Sequence, residues 1–104
     1  MERIVEQGLL YDFYGALLNE HQRDIYEAYV YENLSLSEIA AAKGISRQGV
    51  HDLIKRCDKS LEDYENRLHL VAKFMVIRKD IEKIEELSKQ DEVRDLAEKI
   101  LENL

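Results

Sequence analysis

Proline is absent from this chain, and glycine occupies only four of its 104 positions. A sandwich or barrel draws on both residues at every turn, so an all-β architecture is excluded and helices are expected throughout. Cysteine is scarce as well. Cys57 stands alone, which rules out an internal disulfide and suits a reducing compartment. No stretch approaches the roughly 20 uninterrupted apolar residues of a membrane span, because a charge interrupts each candidate. The opening Met1-Glu2-Arg3-Ile4-Val5-Glu6 is acidic and amphipathic, unlike the basic start and apolar core of a secretory signal. These absences together imply a cytoplasmic, all-α protein.

What is present is a 45% hydrophobic content and a net charge of −7. The total argues against nucleic-acid binding, but its distribution does not. Residues 1–34 hold seven acids against two bases, and residues 60–104 hold twelve against eight. Residues 35–59 reverse the sign, with Lys43, Arg47, Lys55, Arg56 and Lys59 against Glu38, Asp52 and Asp58.

Apolar residues recur at helical spacing along the chain. Val5, Leu9, Leu10, Phe13, Tyr14 and Leu17 mark the inward face of a first helix over 4–18. Asn19 with Gln22 forms a capping-box pattern ahead of Ile25, Tyr26, Tyr29 and Val30, a second helix ending near Asn33. Ser35 with Glu38 repeats that pattern before Leu36, Ile39 and Ala40, and Gly44 suits a left-handed turn. Ser46 caps a fourth helix carrying Val50, Leu53, Ile54, Cys57, Leu61 and Tyr64. A bend is expected near Asn66, dividing a helix-turn-helix domain, 1–66, from a C-terminal helical extension, 67–104. The extension continues the stripe through Leu68, Val71, Met75, Ile77, Ile81, Ile84 and Leu87, and Asp91 is expected to cap a last helix.

Residues 36–55 meet the demands of a helix-turn-helix. Ala40 stands four residues before Gly44, where the two helices cross closely. Ile45 plugs the angle, and Val50 and Leu53 pin the second helix to the core. That second helix would present Arg47, Gln48, His51 and Asp52 to base edges. Lys55, Arg56 and Lys59 would reach phosphates, and Ser35, Ser37 and Lys43 would hold the backbone. The plain alternative is a solvated helical face or a protein-binding surface. Gly49 inside this helix offers no side chain for contact and costs about 1 kcal/mol of helix propensity, which weighs against sequence-specific reading.

The runs Leu18-Asn19-Glu20-His21-Gln22-Arg23-Asp24-Ile25-Tyr26, Leu36-Ser37-Glu38-Ile39-Ala40 and Gly44-Ile45-Ser46-Arg47-Gln48-Gly49-Val50 resemble region four of bacterial sigma factors. With the opening Leu10-Tyr11-Asp12-Phe13-Tyr14 and the pair Tyr29 and Tyr31, the chain is more similar still to the YlxM family across residues 1–90. These are small bacterial proteins encoded beside signal-recognition-particle genes. The resemblance implies a sigma region four-like bundle with a long helical extension, and a regulatory or accessory role in the signal recognition particle pathway. Its implied partners are the particle's GTPase, its receptor or its small RNA. The chain has no counterpart of the polymerase-binding region that a sigma factor needs.

Elsewhere the sequence is quiet. His21, His51 and His69 have no partners at ligand spacing, so no metal or cofactor is expected. Acids interleaved with lysines, as at Lys79-Asp80-Ile81-Glu82-Lys83, read as solvated helix surface, and no catalytic dyad or phosphate loop appears. Cys57 falls on the inward stripe as a small hydrophobe. A partner, whether DNA, small RNA or a docked GTPase, is expected on the cationic helix or on Tyr29, Tyr31, Leu68, Val71 and Met75. The long apolar stripe also suits a homodimer or a partner-docking groove, the plain alternative being that the first two helices fold back and cover it.

Overall fold

The computed structural model describes residues 2–104, and the chain divides into two compact units, one running to Leu68 and the other from His69 to Leu104. Among the described residues there are six α-helices and no strand. The first unit comprises α1 (Arg3–Tyr14), a 3-10 turn (Gly15–Leu17), α2 (Glu20–Val30), α3 (Leu36–Lys43) and α4 (Arg47–Leu68).

Helix α1 buries Gln7, Leu10, Tyr11 and Tyr14. Val5 and Leu17, expected to face inward, are 50% and 58% exposed. The α-helix stops at Tyr14, and the tighter 3-10 turn changes the register, so Leu18 turns inward in place of Leu17. Gly15 is required there. A Cβ on it would lie 2.7 Å from the Tyr11 ring, which occupies the space a side chain would need.

Both capping boxes form. The Asn19 side chain accepts from the Gln22 backbone N–H at 2.8 Å, and the Gln22 side chain accepts in return from the Asn19 backbone at 3.1 Å. Ser35 and Glu38 make the same reciprocal pair at the start of α3, with both bonds at 3.1 Å. Two helix starts are thus satisfied from within their own sequence. Helix α2 ends at Val30, short of Asn33, which takes a left-handed φ of 54° in the connection to α3.

Gly44 closes α3 with φ 69°, and the backbone N–H groups of Gly44 and Ile45 both donate to the Ala40 carbonyl. An L-residue is strained in this conformation. Gly44→Ala is therefore expected to cost about 1 kcal/mol, lowering the thermal midpoint by several degrees, whereas Gly44→Asn loses less because asparagine tolerates the left-handed region. Equal midpoints for the alanine variant and the parent protein in a calorimetric scan would refute this role for the turn.

The Ser46 hydroxyl accepts from the Gly49 backbone N–H at 2.9 Å and caps α4. Val50, Cys57 and Leu61 are fully buried, as are Ile25, Tyr26 and Ile39 from the facing helices. Each large aliphatic side chain in this core contributes about 1.5–3 kcal/mol through burial. Burial also pushes the Cys57 thiol up to about 11, so it is a protonated core group.

Helix α4 runs to Leu68, and the interruption falls at His69 with φ 56°, three residues beyond Asn66. Neither glycine nor proline marks that position in the sequence. In the second unit α5 (Leu70–Leu87) packs against α6 (Asp91–Glu102). Asp91 is the first helical residue, not the cap. Gln90 precedes it without a side-chain capping bond, and Asp91 and Glu92 instead place negative charge at the positive end of the α6 dipole. Ala97 is buried, whereas Met75, Ile77, Ile84, Leu87, Leu96 and Ile100 are exposed. Much of the long apolar stripe is therefore surface in this unit.

Candidate nucleic-acid interface

Helix α4 has two contrasting sides. Val50, Ile54, Cys57 and Leu61 repeat at three- and four-residue steps and are buried. The helical period of about 100° per residue then turns Gln48, Asp52, Lys55, Arg56 and Lys59 to the opposite side, with His51 at its edge, whereas Arg47 lies nearer the inward side and is exposed because it is the first residue of the helix. Arg47, Gln48, Asp52, Lys55, Arg56 and Lys59 are exposed, and His51 is half-buried. Among the described residues no ion pair holds Arg47, Lys55, Arg56 or Lys59.

Asp52 lies within this face. The Gln48 amide donates to its Oδ1 at 2.9 Å, and the His51 ring approaches the same oxygen at 3.5 Å. The Gln48 hydrogen bond and then the His51 contact hold the Asp52 carboxyl below the usual carboxylate range. Gln48 is thus engaged by an acid before any base is presented to it. The remaining expected contacts belong to α3 and its start. Ser37 and Lys43 are exposed, and the Ser35 oxygen already accepts from Glu38.

Tyr29 is half-buried, and Tyr31 is 54% exposed. Tyr31 is not a free anchor. Its hydroxyl donates to Asp12, and its ring meets Tyr11 edge-on at 5.5 Å. Leu68 closes the first unit, while Val71 and Met75 belong to the second, so the proposed partner-binding residues are divided between two units.

Behind α4 is a polar cluster that sequence reasoning missed. The Asp58 carboxylate, whose side chain is 13% exposed, accepts from the Tyr26 hydroxyl at 2.5 Å, from Gln7 Nε2 at 3.0 and 3.1 Å, and from Arg3 Nη2 at 3.2 Å. Burial, and then the hydrogen bond to Asp58, push the Tyr26 phenol far above its ordinary range, so it is a donor at any physiological pH. Tyr11 donates to Glu27 and Tyr14 to Glu65, each at 2.6 Å. Buried tyrosines beside helical acids were the available signal. The pairings join residues 16 to 51 positions apart, which no periodicity reveals.

Two capped helices meeting at a left-handed glycine, with a cationic outer side on the second, define a helix-turn-helix protein. The sequence profile described as "Putative helix-turn-helix protein, YlxM / p13 like" matches residues 1–103. The chain belongs to that family, UPF0122. It is 45% identical to a UPF0122 protein of Clostridium botulinum over the full length of both chains. It is similar to a UPF0122 protein of Caldanaerobacter subterraneus at 55% identity over 78 residues, covering 75% of this chain and 67% of that one. A third relative, from Thermoanaerobacter sp., is 46% identical over 88% of this chain and 85% of its own. No helix among the described residues is long and apolar enough to cross a membrane.

Proposed function

We propose that the protein is a nucleic-acid-binding regulatory or accessory factor that works without catalysis of its own. The observation that carries this reading is the exposed surface of α4, where Arg47, Lys55, Arg56 and Lys59 stand without ion-pair partners among the described residues. Neutralising about five phosphates, with Lys43 as the fifth cation, predicts a slope near −4 for log affinity against log salt on duplex DNA. Fluorescence anisotropy across a salt series measures it, and a flat response refutes the reading. Asp52 and Gly49 in the same helix favour backbone contact over strict base reading. The likeness to the YlxM family supports a place in the signal recognition particle pathway, with the particle's RNA as the polyanion.

The second unit supports a further element, association with a second copy. Its two helices bury Ala97 and half-bury Val71, Phe74, Ile81, Val93 and Leu101, but leave Met75, Ile77, Ile84, Leu87, Leu96 and Ile100 exposed, an apolar surface that a second copy can cover. Pairing two such hairpins makes a four-helix core from these side chains. Multi-angle light scattering at micromolar concentration is expected to give twice the 12.2 kDa chain mass, and Ile84→Glu to return it to one. A parent protein of single mass throughout that range refutes the dimer.

A further inference from the structure

We infer that the first unit holds a binding cleft for one unpaired nucleobase, placed beside the cationic side of α4. The inference rests on the nucleic-acid reading and narrows it to strands that can offer a base outside a duplex. The cleft has a volume of about 270 Å³ and draws on all four helices of the unit. That volume accommodates a purine with room for its sugar edge.

Its lining is of two kinds. Tyr29, Leu36 and Ile54 supply an aromatic ring and two aliphatic walls, the surfaces on which a base's π-face rests. Arg3 and Lys55 supply cations; Arg3 is already paired with Asp58 at 3.2 Å and Glu62 at 3.7 Å, so Lys55 is the cation available to a phosphate. His51 and Lys55 belong at once to this cleft and to the outer side of α4. A strand whose phosphates lie on α4 therefore passes the opening. Asp58 also lines the cleft, but Tyr26, Gln7 and Arg3 compensate its carboxylate.

An independent observation points the same way. Gln7 lines the cleft at 4% exposure, and its Oε1 is a buried side-chain oxygen with no hydrogen-bond partner. Leaving such an acceptor unpaired is unfavourable, and buried polar groups are ordinarily satisfied. The atom is closed to solvent, so a base edge reaches it only if the Gln7 side chain turns toward the cleft; an exocyclic amino group then supplies the missing donor. Adenine, cytosine and guanine carry one and uracil does not, which predicts weaker binding of a bulged uridine than of the other three.

The test uses the full chain and four probes: an RNA hairpin with one unpaired adenosine in its stem, the same stem fully paired, the bulge with an abasic site, and the bulge as DNA. Anisotropy is expected to show about tenfold tighter binding of the adenosine bulge than of the paired stem, with the abasic probe matching the paired stem. Equal affinity for the bulged RNA and bulged DNA identifies the base as the recognised group, and a preference for RNA adds a sugar contact. Tyr29→Leu keeps apolar bulk but removes the ring, and Leu36→Phe fills the cleft. Either is expected to abolish the preference while leaving paired-stem binding intact. Photocrosslinking of a bulged 8-azidoadenosine is expected to map to Tyr29 or its neighbours in the cleft. Equal, salt-dependent binding of all four probes overturns the cleft and leaves the nucleic-acid reading standing. Binding to none overturns both. Crosslinks confined to residues outside the cleft overturn the assignment even if the variants fail to fold.

Discussion

Reversing Arg47 and Lys55 to glutamate together is expected to weaken nucleic-acid binding about 100-fold near 0.1 M salt. Each phosphate contact on a duplex releases close to 0.9 of a counterion, so at that concentration each lost contact costs a little under tenfold. The same change should flatten the salt slope by about 1.8, because two contacts disappear. Both residues are exposed and unpaired in the free protein, so no internal ion pair is broken and helicity by circular dichroism should be unchanged. An unaltered slope in the double variant, with its helix content intact, would show that α4 is scaffold and that any partner docks elsewhere.

The largest effect on stability is expected at Asp58, in the polar cluster behind α4. Asp58→Ala leaves the Tyr26 hydroxyl, itself fully buried, and the Gln7 amide without their acceptor. Each stranded donor costs about 1–3 kcal/mol, giving a combined loss of about 3–5 kcal/mol with the cavity included. That is a large share of the roughly 5–15 kcal/mol by which a domain of this size is stable. Asp58→Asn keeps one acceptor oxygen and should lose about half as much, and Tyr26→Phe about 1 kcal/mol. Urea denaturation measures all three, and a loss below 1 kcal/mol for the alanine variant would mean that the cluster is incidental to the fold. The distinction matters for function. Asp58 ties α1 and α2 to α4, and so sets the orientation in which the cationic side is presented.

These two sites differ in how far they are legible in the sequence. Helix starts at Asn19, Ser35 and Ser46 are visible because capping is a contact between residues three apart. The turn at Gly44 is visible because its conformation suits one residue type above others. The cationic side of α4 follows from the helical period alone, once Val50, Ile54, Cys57 and Leu61 define the inward direction. Class of fold, position of the motif and sign of its charge are all local properties, and the amino-acid order determines them by itself.

What only the tertiary structure decided is which distant groups meet. The 3-10 turn at Gly15, set by the Tyr11 ring above it, turned Leu18 inward and left Leu17 outside. The positive φ of His69 ended α4 where no sequence signal stands. Residues 51 positions apart brought Gln7 to Asp58 and Tyr14 to Glu65, and four helices together enclosed the cleft beside His51 and Lys55. Hydrogen bonds and cavities of this kind depend on the relative placement of packed elements, and that placement comes from the sum of many weak apolar contacts, none of which has a period to read.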